Sequence, residues 1–194
     1  MTQEEIFEVV VTTADPMGVP HTAPMGIRKR GDLFVVSPFR PSQTLDNLIA
    51  SRTAAVNYTD DVRVFAGCVL GRQEWPLAAC ERISAPRLAE SLAHCELELV
   101  SIEEDPTRPW LFCRPVYEAT HAPFRGFNRA QSAVLEAAIL ASRLDLLPRD
   151  KIAHEVEYLR IAIDKTAGPR ERGAWGWLME RIGQHLVDAE TDVA

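Results

Sequence analysis

The chain has 194 residues, a formal net charge of −7, 46% hydrophobic residues and 25% charged ones. That length suits one compact domain, or one domain with a small appendage. An acidic chain without a broad basic stretch argues against a nucleic-acid partner. No apolar run reaches the roughly 18 residues that a membrane helix needs. The acidic start Met1-Thr2-Gln3-Glu4-Glu5 has neither a basic n-region nor a small-residue cleavage site. A cytoplasmic protein with no membrane partner is therefore expected.

The first third reads as β-structure. Ile6 to Thr13 (IFEVVVTT) is rich in Val, Thr and Phe, as a buried strand should be. Asp15-Pro16-Met17-Gly18 is a turn, with Pro16 pre-setting φ and Gly18 at the fourth position. Pro20 to Ile27 predicts a second strand, and its two prolines, Pro20 and Pro24, place it at an edge or make it irregular. Arg28-Lys29-Arg30, the one basic cluster, reads as a solvated hairpin tip before the Gly31-Asp32 turn. Leu33 to Ser37 completes an antiparallel meander. A helix is predicted over Ser42 to Ser51, capped by Ser42 or Thr44, with Leu45, Leu48 and Ile49 on one face.

Ala54 to Tyr58 is a fourth strand, and Asp61 to Leu70 is expected to be helical. By propensity, Ile83 to His94 (ISAPRLAESLAH) also reads as a helix. Cys95-Glu96-Leu97-Glu98-Leu99 alternates like a half-buried strand. Trp110 to Tyr117 reads as the returning strand, with Pro115 implying an edge or a bulge. Three amphipathic helices follow, over Ala130 to Leu144, Asp150 to Lys165 and Arg170 to Leu186, and their apolar stripes read as packing surfaces. Asp188 to Ala194 is expected to fray.

Four cysteines, Cys68, Cys80, Cys95 and Cys113, show no C-x-x-C spacing and predict no disulfide framework. The five histidines are scattered, with no H-x-x-x-H, so no metal centre is predicted. Rossmann, P-loop and G-x-S-x-G signatures are missing. The most informative stretch is Ser37-Pro38-Phe39-Arg40-Pro41-Ser42-Gln43-Thr44-Leu45-Asp46-Asn47-Leu48, which joins a strand end to a helix start. Arg40 supplies a bidentate donor, Ser42 and Thr44 supply hydroxyls, and the helix N-terminus supplies free N–H groups. Those residues suit a compact phosphate, and they equally suit an ordinary capped helix start.

The order of several segments resembles the flavin-reductase-like split barrels. More closely, it resembles an uncharacterised FMN-binding family of methanogens, methylotrophs and other bacteria. The segments are Phe7 to Thr13, Ala23-Pro24-Met25-Gly26-Ile27-Arg28, Ser42 to Leu48, Ala55 to Asp61, Pro86 to Leu97 and Asn128 to Leu144. The resemblance implies a mainly β fold with α: a split β-barrel over residues 1–122 followed by a C-terminal helical bundle over 123–194. It makes Leu88 to Leu97 extended, against the helical reading of that stretch. It implies bound FMN, a homodimer, and a small-molecule electron donor or acceptor. Pro24, Met25 and Gly26 would approach the flavin ring, although Gly26 also reads as a strand irregularity. Arg28, Arg40, Ser42 and Thr44 would hold the phosphate, with Asn47 and Asn57 as further polar contacts. The implied function is a flavin-dependent oxidoreductase or flavin-reductase-like protein. The alternatives are a non-catalytic FMN carrier or sensor, or a flavin-free enzyme on a small phosphorylated or pterin-like substrate.

Overall fold

The computed structural model describes residues 4–191, with side chains as far as Val187. It divides into two compact units. One holds the described residues up to Asp60 together with Gln73–Phe124, and the other holds Asp61–Arg72 with the described residues from Arg125 onward.

The first unit is a closed barrel. Its strands are β1 (Ile6–Ala14), β2 (Pro20–Arg30), β3 (Leu33–Val36), β4 (Thr53–Tyr58), β7 (Ala93–Glu103) and β8 (Trp110–Thr120), in the order β1-β2-β3-β8-β7-β4. A two-stranded hairpin of β5 (Leu77–Ala78) and β6 (Arg87–Leu88) lies between β4 and β7 in sequence. The β1–β2 turn forms as the sequence predicts. Asp15 Oδ1 accepts the Met17 and Val19 amides, and Gly18 takes a φ of +85° that side chains resist. Alternate residues of the long strands point inward, so Val9, Val11, Ile27, Val36, Leu97 and Leu111 are each no more than 2% exposed. Helix α1 (Gln43–Ser51) buries Leu45 and Leu48 against the same core.

β3 is only four residues long and pairs with β2 solely over Arg28–Arg30. β2 therefore continues from Pro20 to Ile27 with β1 on one side and, among the described residues, no strand on the other. Thr22 donates its N–H to Gln73 Oε1 (3.1 Å), away from the β1 ladder, which puts the backbone groups of the even-numbered residues on the uncovered side. Pro20 and Pro24 belong to that set, so their missing N–H groups cost the β1–β2 ladder nothing. Pro115 sits at a register shift, because Glu96 pairs with Tyr117 while Leu97 pairs with Pro115.

The helix expected over Ile83 to His94 does not form. The chain there makes only the short β6 before β7 begins at Ala93. Pro86 removes a helical donor, and two side chains supply what a helix would have supplied. Glu96 accepts the amides of Glu81, Arg82 and Ile83, and Asn57 Oδ1 accepts the amide of Leu88 at 2.7 Å.

The second unit contains α2 (Val62–Val69), α3 (Arg129–Ala141), α4 (Arg149–Thr166) and α5 (Pro169–Thr191). Asp61 caps α2 and Asn128 caps α3. Ala130, Ala133, Ala137 and Ala138 are small enough to let α3 pack closely in a core with Ile152, Ile163, Leu178 and Ile182. Pro169 occupies the first helical turn, where its missing N–H is harmless. The α5 backbone is helical to Thr191, and the fraying expected from Asp188 otherwise falls outside the described residues. No described helix is long and apolar enough to cross a membrane.

Candidate functional site

The end of β3 and the start of α1 form one corner of the barrel unit. Ser42, in an extended conformation, is the N-cap of α1, and its Oγ accepts the Leu45 amide at 3.4 Å. The Asp46 amide returns to the Ser42 carbonyl. The amides of Gln43 and Thr44, first in the helix, have no acceptor among the described residues. The positive end of the helix dipole faces the same way. Thr44 is 1% exposed, and its Oγ1 is one of two buried side-chain oxygens without a partner among the described residues, the other being Thr53 Oγ1.

Three arginines lie on segments next to the end of β3. Arg40 anchors its backbone N–H to the Thr107 carbonyl at 2.8 Å, and its guanidinium pairs with Glu104 at 2.8 Å and leans on the Asp105 carbonyl. Arg28 projects from β2 and is mostly buried, 3.7 Å from Glu4 and above the Trp110 ring. Arg108 comes from the loop before β8. Its Nε donates to the Ser37 carbonyl at 2.7 Å, and its guanidinium stacks 4.6 Å from the centre of the Phe39 ring. Burial and the neighbouring Arg28 charge both pull the Arg108 pKa down. Among the described residues Arg108 has no carboxylate partner. Two like charges held close, one without a counter-ion, form a site that an anion would relieve.

The sequence did not single out Arg108. It follows no motif, and it reaches the corner because Val36 pairs with Leu111, which carries the preceding loop past Ser37. Of the other named residues, Pro24, Met25 and Gly26 lie on the part of β2 without a β3 partner. Met25 turns inward against the barrel core, while the Pro24 carbonyl and the Gly26 N–H and C=O belong to the uncovered edge. A Cβ on Gly26 would meet Ile6 Cγ2 at 2.7 Å, so a neighbouring side chain already occupies the space that glycine leaves. Asn47 is buried beside the corner, but its amide joins Gln43 Nε2 (2.7 Å) and Thr13 Oγ1 (3.1 Å). Asn57 is fully buried on β4. Its amide nitrogen donates to Val10 O and Thr12 Oγ1, and its oxygen takes the Leu88 amide. Both asparagines are committed to protein partners.

Comparison with known proteins gives the corner a context. A family model described as the N-terminal domain of a protein of unknown function (DUF447) matches residues 7–122, and its C-terminal companion (DUF447) matches residues 128–180. An FMN-bound DUF447 protein from Methanosarcina mazei has a similar structure at 22% identity. The match covers 92% of this chain and 96% of that one, with a TM-score of 0.79. The 2-nitrobenzoate 2-nitroreductase of Pseudomonas fluorescens is similar at 20% identity, over 62% of this chain and 66% of that one, with a TM-score of 0.54. An FMN-binding protein from Thermus thermophilus, solved with 1-cyclohex-2-enone bound, is similar at 16% identity, over 61% and 72%, with a TM-score of 0.51. No curated protein sequence matches the chain. These likenesses assign the split-barrel fold.

Proposed function

The chain belongs to the DUF447 family, and from that premise we propose that its barrel binds FMN and supports flavin-dependent reduction or electron transfer. The observation that carries the reading is Arg108, which lacks a carboxylate among the described residues, feels the Arg28 charge and binds the Ser37 carbonyl, a few residues before the unpaired amides of Gln43 and Thr44. A ribityl phosphate is a dianion of the right size for two N–H groups, a guanidinium and the Ser42 and Thr44 hydroxyls. Arg40 lies at the rim and is held by Glu104. It screens the phosphate rather than gripping it. The uncovered edge of β2 offers the Pro24 carbonyl and the Gly26 N–H and C=O to the polar rim of the ring.

Bound FMN supplies the hydride or single-electron chemistry. The chain anchors the phosphate, orients the ring and keeps cationic groups at the phosphate end. No protein acid or base is required at the corner. The M. mazei relative, of the same family and similar over nearly its whole length, is FMN-bound, which supports carrying the ligand over. The working unit is a homodimer in this reading. Ile6, Phe7, Met17 and Val19, at least half exposed on β1 and its turn, give a second copy an apolar surface.

The test is the visible spectrum of the purified protein. A yellow protein that releases FMN on denaturation, with NAD(P)H-dependent bleaching, supports a reductase. Bound FMN without such bleaching supports a carrier or sensor. A colourless protein that fails to bind added FMN refutes the reading and favours a flavin-free enzyme using the same anion corner.

A further inference from the structure

On β7, Cys95, Leu97 and Leu99 turn into the barrel core, so His94 and Glu96 project from the opposite face. Both are almost fully buried there, at 2% and 0% exposure, beneath the Cys80–Ile83 segment. The Glu96 carboxylate accepts three consecutive backbone amides: Glu81 at 2.6 Å, Arg82 at 2.7 Å and Ile83 at 3.1 Å. Burial pushes the Glu96 pKa up, but these amides and His94 more than offset it and hold the group ionised. His94 Nε2 lies 3.2 Å from Glu96 Oε1, and its Nδ1 lies 2.9 Å from Nε2 of the exposed His121, with the two rings stacked. The half-buried Cys80 completes the group. Burial together with the Glu96 charge pushes its thiol pKa to about 12.

We propose that Cys80 Sγ, His94 Nε2 and the Glu96 carboxylate form a binding site for a divalent transition metal of the zinc class. The three ligand atoms lie within 4.8 Å of one another. Tetrahedral zinc, with bonds of about 2.0–2.3 Å, sets its ligand atoms roughly 3.3–3.8 Å apart, so closure needs only a small inward shift. Thiolate, imidazole and carboxylate together match a borderline-soft cation, and the two anionic ligands balance its charge. The supporting contacts have the pattern of a metal site as well. His94 Nδ1 lies within hydrogen-bond distance of His121 Nε2, so with Nε2 on the ion the ring takes the tautomer whose Nδ1–H donates to His121, and three amides fix the carboxylate. Cys80 opens the site toward solvent, so water fills the fourth position and the ion has an entry path. Binding breaks the S–H bond and releases that proton to solvent; no electron is transferred. Sequence spacing hid this set because Cys80 lies in a loop while its partners lie on β7. The proposal does not depend on the flavin reading.

The experiment titrates cobalt(II), a spectroscopic stand-in for zinc, into the full-length protein with its own flavin content, after treatment with a chelator. The expected result is saturation at one equivalent. Tetrahedral d–d bands should appear at wavelengths longer than oxidised flavin absorbs, with a thiolate-to-cobalt band in the difference spectrum and about one proton released per ion at neutral pH. Cys80→Ser should abolish the thiolate band and weaken zinc binding by about 100-fold or more, and His121→Ala should weaken it by about 10–100-fold. Cys68→Ser, in the helical unit, should change nothing. The absence of saturable cobalt or zinc binding tighter than about 10 µM overturns the proposal and leaves a hydrogen-bonded network only. An unchanged cobalt spectrum in Cys80→Ser overturns the ligand assignment. The wild-type titration is decisive even if a variant fails to fold, and neither result bears on FMN binding.

Discussion

Replacing Arg108 with alanine separates the anion corner from the rest of the flavin site. Among the described residues the guanidinium has no carboxylate partner, so a phosphate would gain its full charge-assisted hydrogen bonding. Such bonds contribute about 1.5–3 kcal/mol each, so FMN affinity should fall about 10–150-fold. The same substitution removes a bond to the Ser37 carbonyl and a stack on Phe39, which costs the fold about 1 kcal/mol whatever is bound. Riboflavin, which shares the ring and lacks the phosphate, is therefore the control, and its affinity should change by less than about threefold. Arg40→Ala is the comparison. Arg40 already pairs with Glu104, which is 70% exposed, so trading that partner for phosphate nets only about 0–1 kcal/mol. Its FMN loss should stay below about fivefold. Fluorescence titration of both ligands into apoprotein measures all four quantities. Equal losses of FMN and riboflavin in Arg108→Ala would refute the placement, as would a larger loss from Arg40→Ala.

Three further outcomes follow from local geometry. Thr44→Val removes a buried hydroxyl with no partner, so the ligand-free protein should gain up to about 1 kcal/mol in urea unfolding while its FMN complex weakens; a destabilised apoprotein would show that the hydroxyl is already bonded. Gly26→Ala brings a Cβ to 2.7 Å from Ile6 Cγ2, but Ile6 is half exposed and can swing away. The cost should be about 1–2 kcal/mol and should largely disappear in an Ile6→Ala background, as a double-mutant thermal melt would reveal. Burial raises the Asp61 pKa, but hydrogen bonds from Arg63 and the charges of Arg63 and Arg170 outweigh it, and the carboxyl titrates below its ordinary 3.8. A depressed folded-state pKa stabilises above the unfolded value and loses that contribution as pH falls through the folded one. Asp61→Asn keeps an N-cap and removes the charge. It should cost about 1 kcal/mol at pH 7, discounted because Arg63 and Arg170 are 35% and 51% exposed, and the difference from wild type should shrink as the pH falls below the ordinary 3.8 in urea denaturation.

Much of the fold was legible because the strands carry local signals. Ile6 to Ala14, Leu33 to Val36 and Thr53 to Tyr58 are rich in residues that suit a pleated, buried surface, and Asp15, Gly18 and Gly31 mark the turns between strands. Helix α1 was legible through its Ser42 cap and its Leu45 and Leu48 face. The segment before β7 was not, because its conformation depends on distant side chains. Glu96 and Asn57 take amides that lie 13 to 31 residues away, and no local window of Ala, Leu and Glu reports that. Arg108 was hidden for the same reason. Its place beside Ser37 is a product of the β3–β8 pairing, whereas Arg40 stood out by adjacency and then proved to be paired with Glu104. Asn57 stood as a polar contact only through the family resemblance. Its burial and four protein hydrogen bonds explain it as the tie between β1, β4 and the β6 segment.

The two halves of the proposed flavin site trace to one local event, the early end of β3. If the strand continued past Val36, Ser37 to Arg40 would pair with β2 and cover the backbone of Gly26 and Pro24. In an extended β3 the residue after Ser37 would turn its amide to β8, and Pro38 has none to give, so the strand stops; Ser37 is drawn to the β8 side, where its Oγ donates to the Pro109 carbonyl and its carbonyl accepts Arg108. The Arg40 amide likewise turns to the Thr107 carbonyl. Pro41 and the Ser42 cap then start a helix within a few residues of the strand end. A free strand edge and a free helix N-terminus thus arise side by side, and the first suits a planar heterocycle as the second suits its phosphate. On this argument, replacing Pro38 with a β-former such as valine should let β3 lengthen and protect the Gly26 amide from hydrogen exchange. It should also weaken riboflavin and FMN to the same extent, unlike Arg108→Ala, which acts on FMN alone.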